Sequence, residues 1–328
     1  MFYVWIITYL KGKMFKEKQI ERYSKEKHMD QPKINPYFAL IIGVLSVSTS
    51  AIFVKLSSAD AAVIAFYRLF FSVLIMIPIF FPKYVKELFH MNSKEWIFSI
   101  VAGIFLAFHF ILWFESLNYT TVASSTVLVT LQPLFAFIGT FLFFNEKFSA
   151  KAILCAIVAI IGSVIISWGD FKISGSALYG DFLALAACAF ITAYLLFGQE
   201  VRKRISLVAY TFTVYLISSI VLFIYVLISG SSFYPYPPAD WTYFLMLAIL
   251  PTLLGHTLFN WSLKWLSTST ISMAILFEPV GAAILAIMIL NEMILWSQII
   301  GGSIIIVSVT LFLAHEKKSK AVQSLEPH

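Results

Sequence analysis

Residues 113–146 read WFESLNYTTVASSTVLVTLQPLFAFIGTFLFFNE and residues 259–292 read FNWSLKWLSTSTISMAILFEPVGAAILAIMILNE, and the two stretches align without a gap. The matched pairs are Ser116/Ser262, Leu117/Leu263, Pro133/Pro279, Ala136/Ala282, Ile138/Ile284, Asn145/Asn291 and Glu146/Glu292. The second half of the chain therefore repeats the first. Because each half carries five apolar stretches, we expect the two halves to cross a membrane in opposite directions.

The apolar stretches on either side of this repeat define the fold class. Each is about twenty residues long, which is the length that an α-helix needs to cross the hydrocarbon core of a bilayer. The sequence therefore predicts an all-α, polytopic membrane protein with ten transmembrane helices in two inverted five-helix repeats. The predicted spans are 37–57, 61–82, 96–117, 121–144, 150–168, 179–199, 207–229, 241–263, 268–290 and 295–314.

The spans leave little room for other domains. Residues 1–10 are apolar but too few to cross a bilayer, and a charged run follows them. Two interpretations stay open: translation begins at Met29, or a basic extension lies on the membrane surface. The predicted organisation is an N-terminal cytoplasmic extension (1–36), a first repeat (37–168), a linker (169–178), a second repeat (179–314) and a cytoplasmic tail (315–328).

Composition narrows the function classes. The chain is 60% hydrophobic and only 12% charged, with a mean hydropathy of +0.88, which excludes a soluble enzyme. Its two cysteines, Cys155 and Cys188, lie in apolar stretches and predict neither a disulfide framework nor a metal site. The expected partners are a small-molecule substrate and the lipid bilayer. No cofactor and no nucleic acid is expected, and a homodimer stays open.

The basic residues predict the orientation. The connectors expected inside the cell hold nearly all of them, whereas the outer connectors hold only Lys55 and Lys172. The positive-inside rule then places both termini in the cytoplasm, with the protein in the cytoplasmic membrane. Arg68 is the one basic residue within a predicted span.

Arg68 is the first candidate for a substrate contact. It lies about two helical turns, or roughly 10 Å, below the outer end of the second span. Charges within spans are costly and usually face a protein interior or an aqueous cavity, so Arg68 suits an anionic or zwitterionic ligand. The alternative is a structural salt bridge to Glu115 that joins the second and third spans.

Two prolines at matching positions predict bends in the fourth and ninth spans. Pro133 and Pro279 lack the N–H that would bond to the carbonyls of Val129 and Ile275, and their rings clash with the preceding turn. Freed carbonyls beside a polar side chain are a plausible binding element in the middle of a membrane.

The polar side chains beside these prolines are Gln132 and Glu278. A carboxylate at the depth of Glu278 is poorly hydrated, which makes it a candidate proton carrier. It could equally serve as a static partner of Arg68. Both residues are candidates for substrate binding.

Two further pairs share helical faces, because residues four apart in a helix are neighbours. His109 and Trp113 form one pair in the third span, and His256 and Asn260 form the other in the eighth. Each histidine could contact substrate or could be a packed, hydrogen-bonded core residue. Pro251, shortly before His256, predicts local opening of that helix.

Glu146 and Glu292 end the fourth and ninth spans, each in an Asn-Glu pair thirteen residues after the matching proline. An inverted repeat puts them on opposite faces of the membrane. We expect them to have structural or gating roles together with Glu115 and the two prolines, rather than to bind substrate.

These residues and the two stretches quoted above resemble the EamA family of the drug/metabolite transporter superfamily. The similarity covers about residues 40 to 314, with Arg68 in the second span and a mid-span proline and terminal glutamate in both the fourth and ninth. The resemblance implies two tandem five-helix repeats and secondary transport of small metabolites, often export of amino acids or related compounds. The segment HFILWFES of the third span is more polar than is usual in that family.

From the residues themselves we expect a ten-helix secondary transporter with a cavity lined by spans two, three, four, eight and nine. Arg68 would bind a carboxylate or phosphate, and Trp113 would pack against the apolar part of the substrate. One alternative is a membrane-embedded enzyme acting on an apolar substrate, with Arg68, His109 and Glu115 as its catalytic cluster. Another is a scaffold or sensor that does not transport.

Overall fold

The computed structural model describes residues 32, 34–120, 122–167, 175–290 and 296–323. All regular structure in these residues is helical, as predicted. By its contacts the chain divides into Met1–Pro36 and Tyr37–His328, and the helices belong to the second unit apart from the first residue of α1. The described helices are α1 (Pro36–Val47 and Ser50–Leu56), α2 (Ala61–Lys83), α3 (Ser93–Ser116), α4 (Val122–Val129 and Gln132–Phe144), α5 (Ala150–Ser167), α6 (Gly175–Val201), α7 (Leu207–Ser229), α8 (Pro238–Leu247, a π-helical segment Ala248–His256, and Thr257–Ser262), α9 (Thr268–Ile275 and Glu278–Leu290) and α10 (Trp296–Gln323), with a one-turn helix at Val85–Leu88.

These helices make the chain a polytopic membrane protein. In the part of the chain that the structure describes, nine are long and apolar enough to cross a membrane. The apolar stretch of α5, Ala150–Ile165, is shorter. Large apolar side chains such as Phe143 (71% exposed) and Ile228 (78% exposed) cover the outer surface, where lipid replaces water.

Several predicted boundaries differ from the structure or lie outside it. Helix α6 begins at Gly175, inside the predicted linker. The end of that linker is therefore the first turn of a helix rather than a loop. Helix α10 continues through Gln323, so the predicted tail is helical over most of its length. The extension before Pro32, residue 168 with residues 169–174 of the linker, and residues 291–295 lie outside the described residues.

The helices pack in pairs that follow the sequence repeat. Helix α2 contacts α7, α4 contacts α9, and α5 contacts α10. Helix α3 packs against α6, and its repeat counterpart α8 packs against α1, the counterpart of α6. Replacing each helix by its counterpart therefore leaves these contacts unchanged. The inverted orientation of the two repeats in a membrane stays a prediction.

Three helices are broken in their middle. The bends predicted at Pro133 and Pro279 are complete breaks, at residues 130–131 of α4 and 276–277 of α9. Helix α1 also breaks, at residues 48–49, with no proline nearby. There Ser48 Oγ donates to the carbonyl of Val44 (2.9 Å) and Thr49 Oγ1 to that of Ser46 (2.7 Å). Such side-chain hydrogen bonds compete with the helical ladder.

The fourth irregular helix is α8, which contains nine residues of π-helix at Ala248–His256. Pro251, where the sequence predicts that the helix opens locally, lies inside this segment. A π-helical segment displaces side chains from their α-helical positions and is frequent at functional sites. The three breaks and the π-helical segment lie on helices that meet at one internal cavity.

Candidate functional site

The cavity has a volume of about 30 Å³, roughly enough for one or two water molecules. Six of the seven predicted substrate-binding residues line it, and helices α1 and α6 contribute in addition to the predicted spans. The lining residues are Val47, Ser50, Arg68, His109, Trp113, Val129, Gln132, Ile191, Leu195, His256, Phe259, Ile275 and Glu278.

Arg68 is 1% exposed, and its hydrogen-bond partners are neutral hydroxyl groups. Its Nε donates to Thr252 Oγ1 (2.7 Å) and its Nη1 to Ser50 Oγ (2.8 Å). The guanidinium carbon lies 4.3 Å from the centre of the Phe110 ring, in a cation–π contact. These contacts orient the guanidinium without neutralising its charge.

The salt bridge between Arg68 and Glu115 is not formed. Glu115 accepts instead from the Tyr225 hydroxyl (3.1 Å) and from Asn118 Nδ2 (3.1 Å). It lies two positions after Trp113, and residues two apart do not share a helical face. Glu115 therefore points away from the cavity that Trp113 lines, and the alternative role of Arg68 in a salt bridge with Glu115 finds no contact in this structure.

Gln132 and Glu278 are the first residues of the second halves of α4 and α9. Both are buried and both line the cavity, as do Val129 and Ile275, whose carbonyls the prolines leave unpaired. Ser48 Oγ donates to the backbone carbonyl of Glu278 (3.2 Å), which ties the break in α1 to the break in α9. Half-helix N-termini carry partial positive charge toward the cavity.

The residue Glu278 is 8% exposed, and it lines the same cavity as Arg68. Within the described residues, it forms no ion pair with Arg68 and no side-chain hydrogen bond. The interpretation of Glu278 as a static partner of Arg68 therefore finds no contact in this structure.

Three polar atoms of the cavity wall have no hydrogen-bond partner among the described residues: Trp113 Nε1, Gln132 Oε1 and His256 Nδ1. His109, by contrast, donates from Nδ1 to the carbonyl of Ala187 (3.1 Å), and its ring stacks on Trp113 at 5.7 Å. Buried polar atoms almost always have a hydrogen-bond partner. Unpaired polar atoms around a cavity therefore indicate that water or a polar ligand supplies the hydrogen bonds.

Asn260, the seventh predicted residue, does not line the cavity. Its Nδ2 donates to the hydroxyl of Tyr194 and to the carbonyl of His256 (2.9 Å). Asn260 lies one turn after His256, and its amide joins α8 to α6. In this conformation it supports the cavity wall.

Within the described residues, side-chain hydrogen bonds join neighbouring helices at both ends of the bundle. At the end that holds the α1–α2 connection, the Asp240 carboxylate accepts from Ser57 Oγ (2.7 Å), Ser58 Oγ (2.7 Å) and Ser58 N–H (2.8 Å). Toward the cavity from this contact, the Tyr67 ring stacks on Phe244 at 5.1 Å. We name this the Asp240 end.

At the opposite end, Glu146 Oε2 accepts from Ser269 Oγ (2.8 Å), which joins the end of α4 to the start of α9. Gln199 Oε1 also accepts from the N–H of Thr268 (2.7 Å). We name this the Glu146 end. Glu292, the repeat counterpart of Glu146, lies outside the described residues.

The sequence reasoning missed Ser50 and Thr252, which bind Arg68. The signal for Ser50 was present: the run SVSTS at residues 46–50 puts four hydroxyl residues inside an otherwise apolar span. Hydroxyl groups in an apolar helix mark a polar protein interior. Thr252 directly follows the proline of α8, but one threonine beside a proline gave no reason to connect it with Arg68.

A bundle of apolar helices, broken at mid-length around a central polar cavity and built from two repeats, is the architecture of a membrane transporter. The model of the EamA-like transporter family matches residues 35–168 and 178–314, once for each half. The chain belongs to this family.

The relatives agree with this assignment. An uncharacterized transporter of Bacillus subtilis, YetK, is 24% identical over 90% of this chain and 91% of its own length. An uncharacterized transporter of Archaeoglobus fulgidus is 21% identical over 83% of this chain and 94% of its own length. A solved crystal structure with 15% identity covers 84% of this chain and 95% of that chain with a TM-score of 0.70, which shows that the fold is shared.

Proposed function

We propose that this protein is a secondary transporter that exports a small polar metabolite, such as an amino acid or a related compound, across the cytoplasmic membrane by alternating access. The observation that carries the proposal is the wall of the central cavity. There a buried guanidinium with neutral hydrogen-bond partners faces the same space as three polar atoms that have no hydrogen-bond partner within the described part of the chain. Such a set can bind a carboxylate at Arg68 and further donors and acceptors beside it.

Alternating access is supported by the breaks in the helices. Gln132 and Glu278 begin the second halves of counterpart helices, so each repeat contributes one hinge to the same cavity. A cavity of about 30 Å³ is too small for a metabolite, and hydrogen bonds join helices at both ends of the bundle, which fits an occluded state between two open ones.

The distribution of basic residues supports the proposed orientation in the membrane. Lys147 and Lys151 lie at the Glu146 end, whereas Lys55 is the basic residue nearest the Asp240 end in the first repeat. The positive-inside rule then supports a cytoplasmic Glu146 end and cytoplasmic termini.

The cavity supports transport over the enzyme alternative. That alternative needs Arg68, His109 and Glu115 at one site. Two of the three line the cavity, but Glu115 bonds Tyr225 and Asn118 outside it.

Ligand-induced stabilisation of the purified protein tests the proposal. A bound ligand raises the unfolding temperature in proportion to the logarithm of its concentration over Kd. We expect at least one compound from a panel of amino acids, organic acids and phosphate esters to stabilise the wild type but not Arg68→Ala. Equal stabilisation of both proteins by every active compound would contradict a binding role for Arg68.

A further inference from the structure

We propose that Glu278 is the place where a proton and a cationic group of the substrate alternate, so that the protein exchanges substrate for protons. Its use in transport rests on the function proposed above, whereas proton binding at Glu278 does not. The inference starts from a carboxylate that is buried and has no hydrogen-bond or ion-pair partner for its side chain among the described residues.

Burial makes an unpaired carboxylate expensive. Glu278 lies at the middle of α9, and its side chain faces a cavity that holds roughly one or two water molecules. Removing a charge from water without pairing it is costly, so such a group is neutralised by a proton or by an opposite charge.

Among the described residues, the Arg68 guanidinium does not come within ion-pair distance of the Glu278 carboxylate. Its guanidinium is fixed by Thr252, Ser50 and the Phe110 ring, all on other helices. The two charged side chains line one cavity without forming an ion pair. A ligand with a carboxylate for Arg68 and a cationic group for Glu278 would neutralise both at once, and without it a proton can neutralise Glu278.

The groups around Glu278 have opposing effects on whether its carboxyl group is ionised or neutral. The positive end of its half-helix and the charge of Arg68 favour the carboxylate, whereas burial favours the neutral acid. The other titratable side chains at the cavity are His109 on α3 and His256 on α8, with Tyr194 on α6 and Tyr215 on α7 in the layer behind. His109 is bonded to a backbone carbonyl, and no second carboxylate lines the cavity.

The repeat provides an internal comparison. The counterpart of Glu278 is Gln132, which also precedes a proline, also begins a half-helix and also lines the cavity. The same position therefore accepts a neutral amide of nearly the same shape. Only the second repeat carries a group that can exchange a proton here, which predicts one proton site, and Glu278→Gln is expected to fold normally.

In each cycle one proton and one substrate molecule cross the membrane in opposite directions. When the cavity opens to the cytoplasm, the Glu278 carboxylic acid releases its proton to water and the carboxylate binds the cationic group of the substrate. When the cavity opens outward, a proton from the outside adds to one carboxylate oxygen and the substrate leaves. One proton enters for each substrate exported.

Infrared difference spectroscopy tests the proton site directly on the full-length protein in lipid. We expect a carboxylic-acid C=O band that grows as the pH is lowered and that is missing from Glu278→Gln. Glu115→Gln is the matched control, because it removes a carboxylate that lies outside the cavity, and it should keep the band. If wild type and Glu278→Gln give the same spectra at every pH, the proposal is overturned.

A second measurement separates the proton site from its coupling. In cells that export a compound through the wild-type protein, a protonophore should lower the export several-fold, and Glu278→Gln, which lacks the site for both the proton and the cationic group, should lower it several-fold without a protonophore. Export that continues unchanged with the protonophore would overturn the coupling even where the infrared band titrates. If no compound is exported, the function proposed above fails, while the infrared result still decides the proton site.

Discussion

Arg68 and Thr252 lie 184 residues apart in the chain, and a 2.7 Å hydrogen bond joins the guanidinium Nε of one to the hydroxyl of the other. The same hydroxyl donates to the carbonyl of Leu247, five residues earlier (2.9 Å). A bond to the fifth preceding residue matches the π-helical geometry of this segment. The irregular backbone of α8 therefore orients the acceptor that fixes the cavity's cation.

Thr252→Val tests this orientation. Valine keeps the shape of the side chain but removes the acceptor for Arg68, and a hydrogen bond to a charged group is worth about 1.5–3 kcal/mol. We expect export or ligand affinity to fall about tenfold. Thr213→Val is the control, because Thr213 Oγ1 is buried but bonds only within its own helix, to the carbonyl of Ala209. Equal losses in both variants would argue against the role of Thr252.

Glu146→Ala should loosen the Glu146 end. The substitution removes the carboxylate that accepts from Ser269 Oγ, so α4 and α9 lose a direct contact. In a cysteine-free background with a single cysteine at Leu195 in the cavity wall, we expect faster labelling by a water-soluble maleimide. Glu115→Ala should leave the rate near that of the parent. A labelling rate that Glu146→Ala leaves unchanged would show that the contact does not close this end.

Asp240→Ala should destabilise the Asp240 end. The carboxylate accepts three hydrogen bonds from Ser57 and Ser58, and Asp240 is 2% exposed. We expect a loss of about 2–3 kcal/mol, visible as a lower unfolding temperature in detergent. Asp181→Ala, which removes an acceptor of one described bond, from Thr120 Oγ1, should cost less. The reverse order would contradict this account of the Asp240 end.

Gly281→Ala should disturb the contact between α1 and α9. A Cβ at Gly281 would lie 2.4 Å from Ser48 Oγ and 2.8 Å from Ser48 Cβ, so the two broken helices must move apart. At Gly302 the nearest atom to an added Cβ is Val280 Cγ2 at 3.6 Å, an ordinary contact. We therefore expect a clear fall in unfolding temperature for Gly281→Ala and little change for Gly302→Ala. Similar temperatures for the two variants would rule out the close approach.

The sequence predicted most of the helical framework because hydropathy and span length are set locally. Bilayer thickness fixes how many apolar residues a helix needs, and Pro133 and Pro279 predict the breaks in α4 and α9. The break in α1 was not predicted, because it depends on where Ser48 and Thr49 direct their hydroxyl groups, and in other helices such residues bond without breaking the ladder.

The site was predictable in its residues but not in its contacts. The cost of burying polar groups in a membrane singled out Arg68, Gln132 and Glu278 without any structure. Which group pairs with Arg68 depends on packing between distant helices, and the sequence offered Glu115 as the nearest opposite charge. The structure instead gives Arg68 neutral hydroxyl partners, because Glu115 faces away from the cavity.

The extracellular metabolite profile of cells that express the wild-type protein, compared with cells that express Arg68→Ala at equal membrane abundance, tests export through the Arg68 cavity most directly. We expect at least one small polar compound to accumulate outside the wild-type cells and not outside the variant cells or the empty-vector control. Matching profiles from all three would contradict export through this cavity.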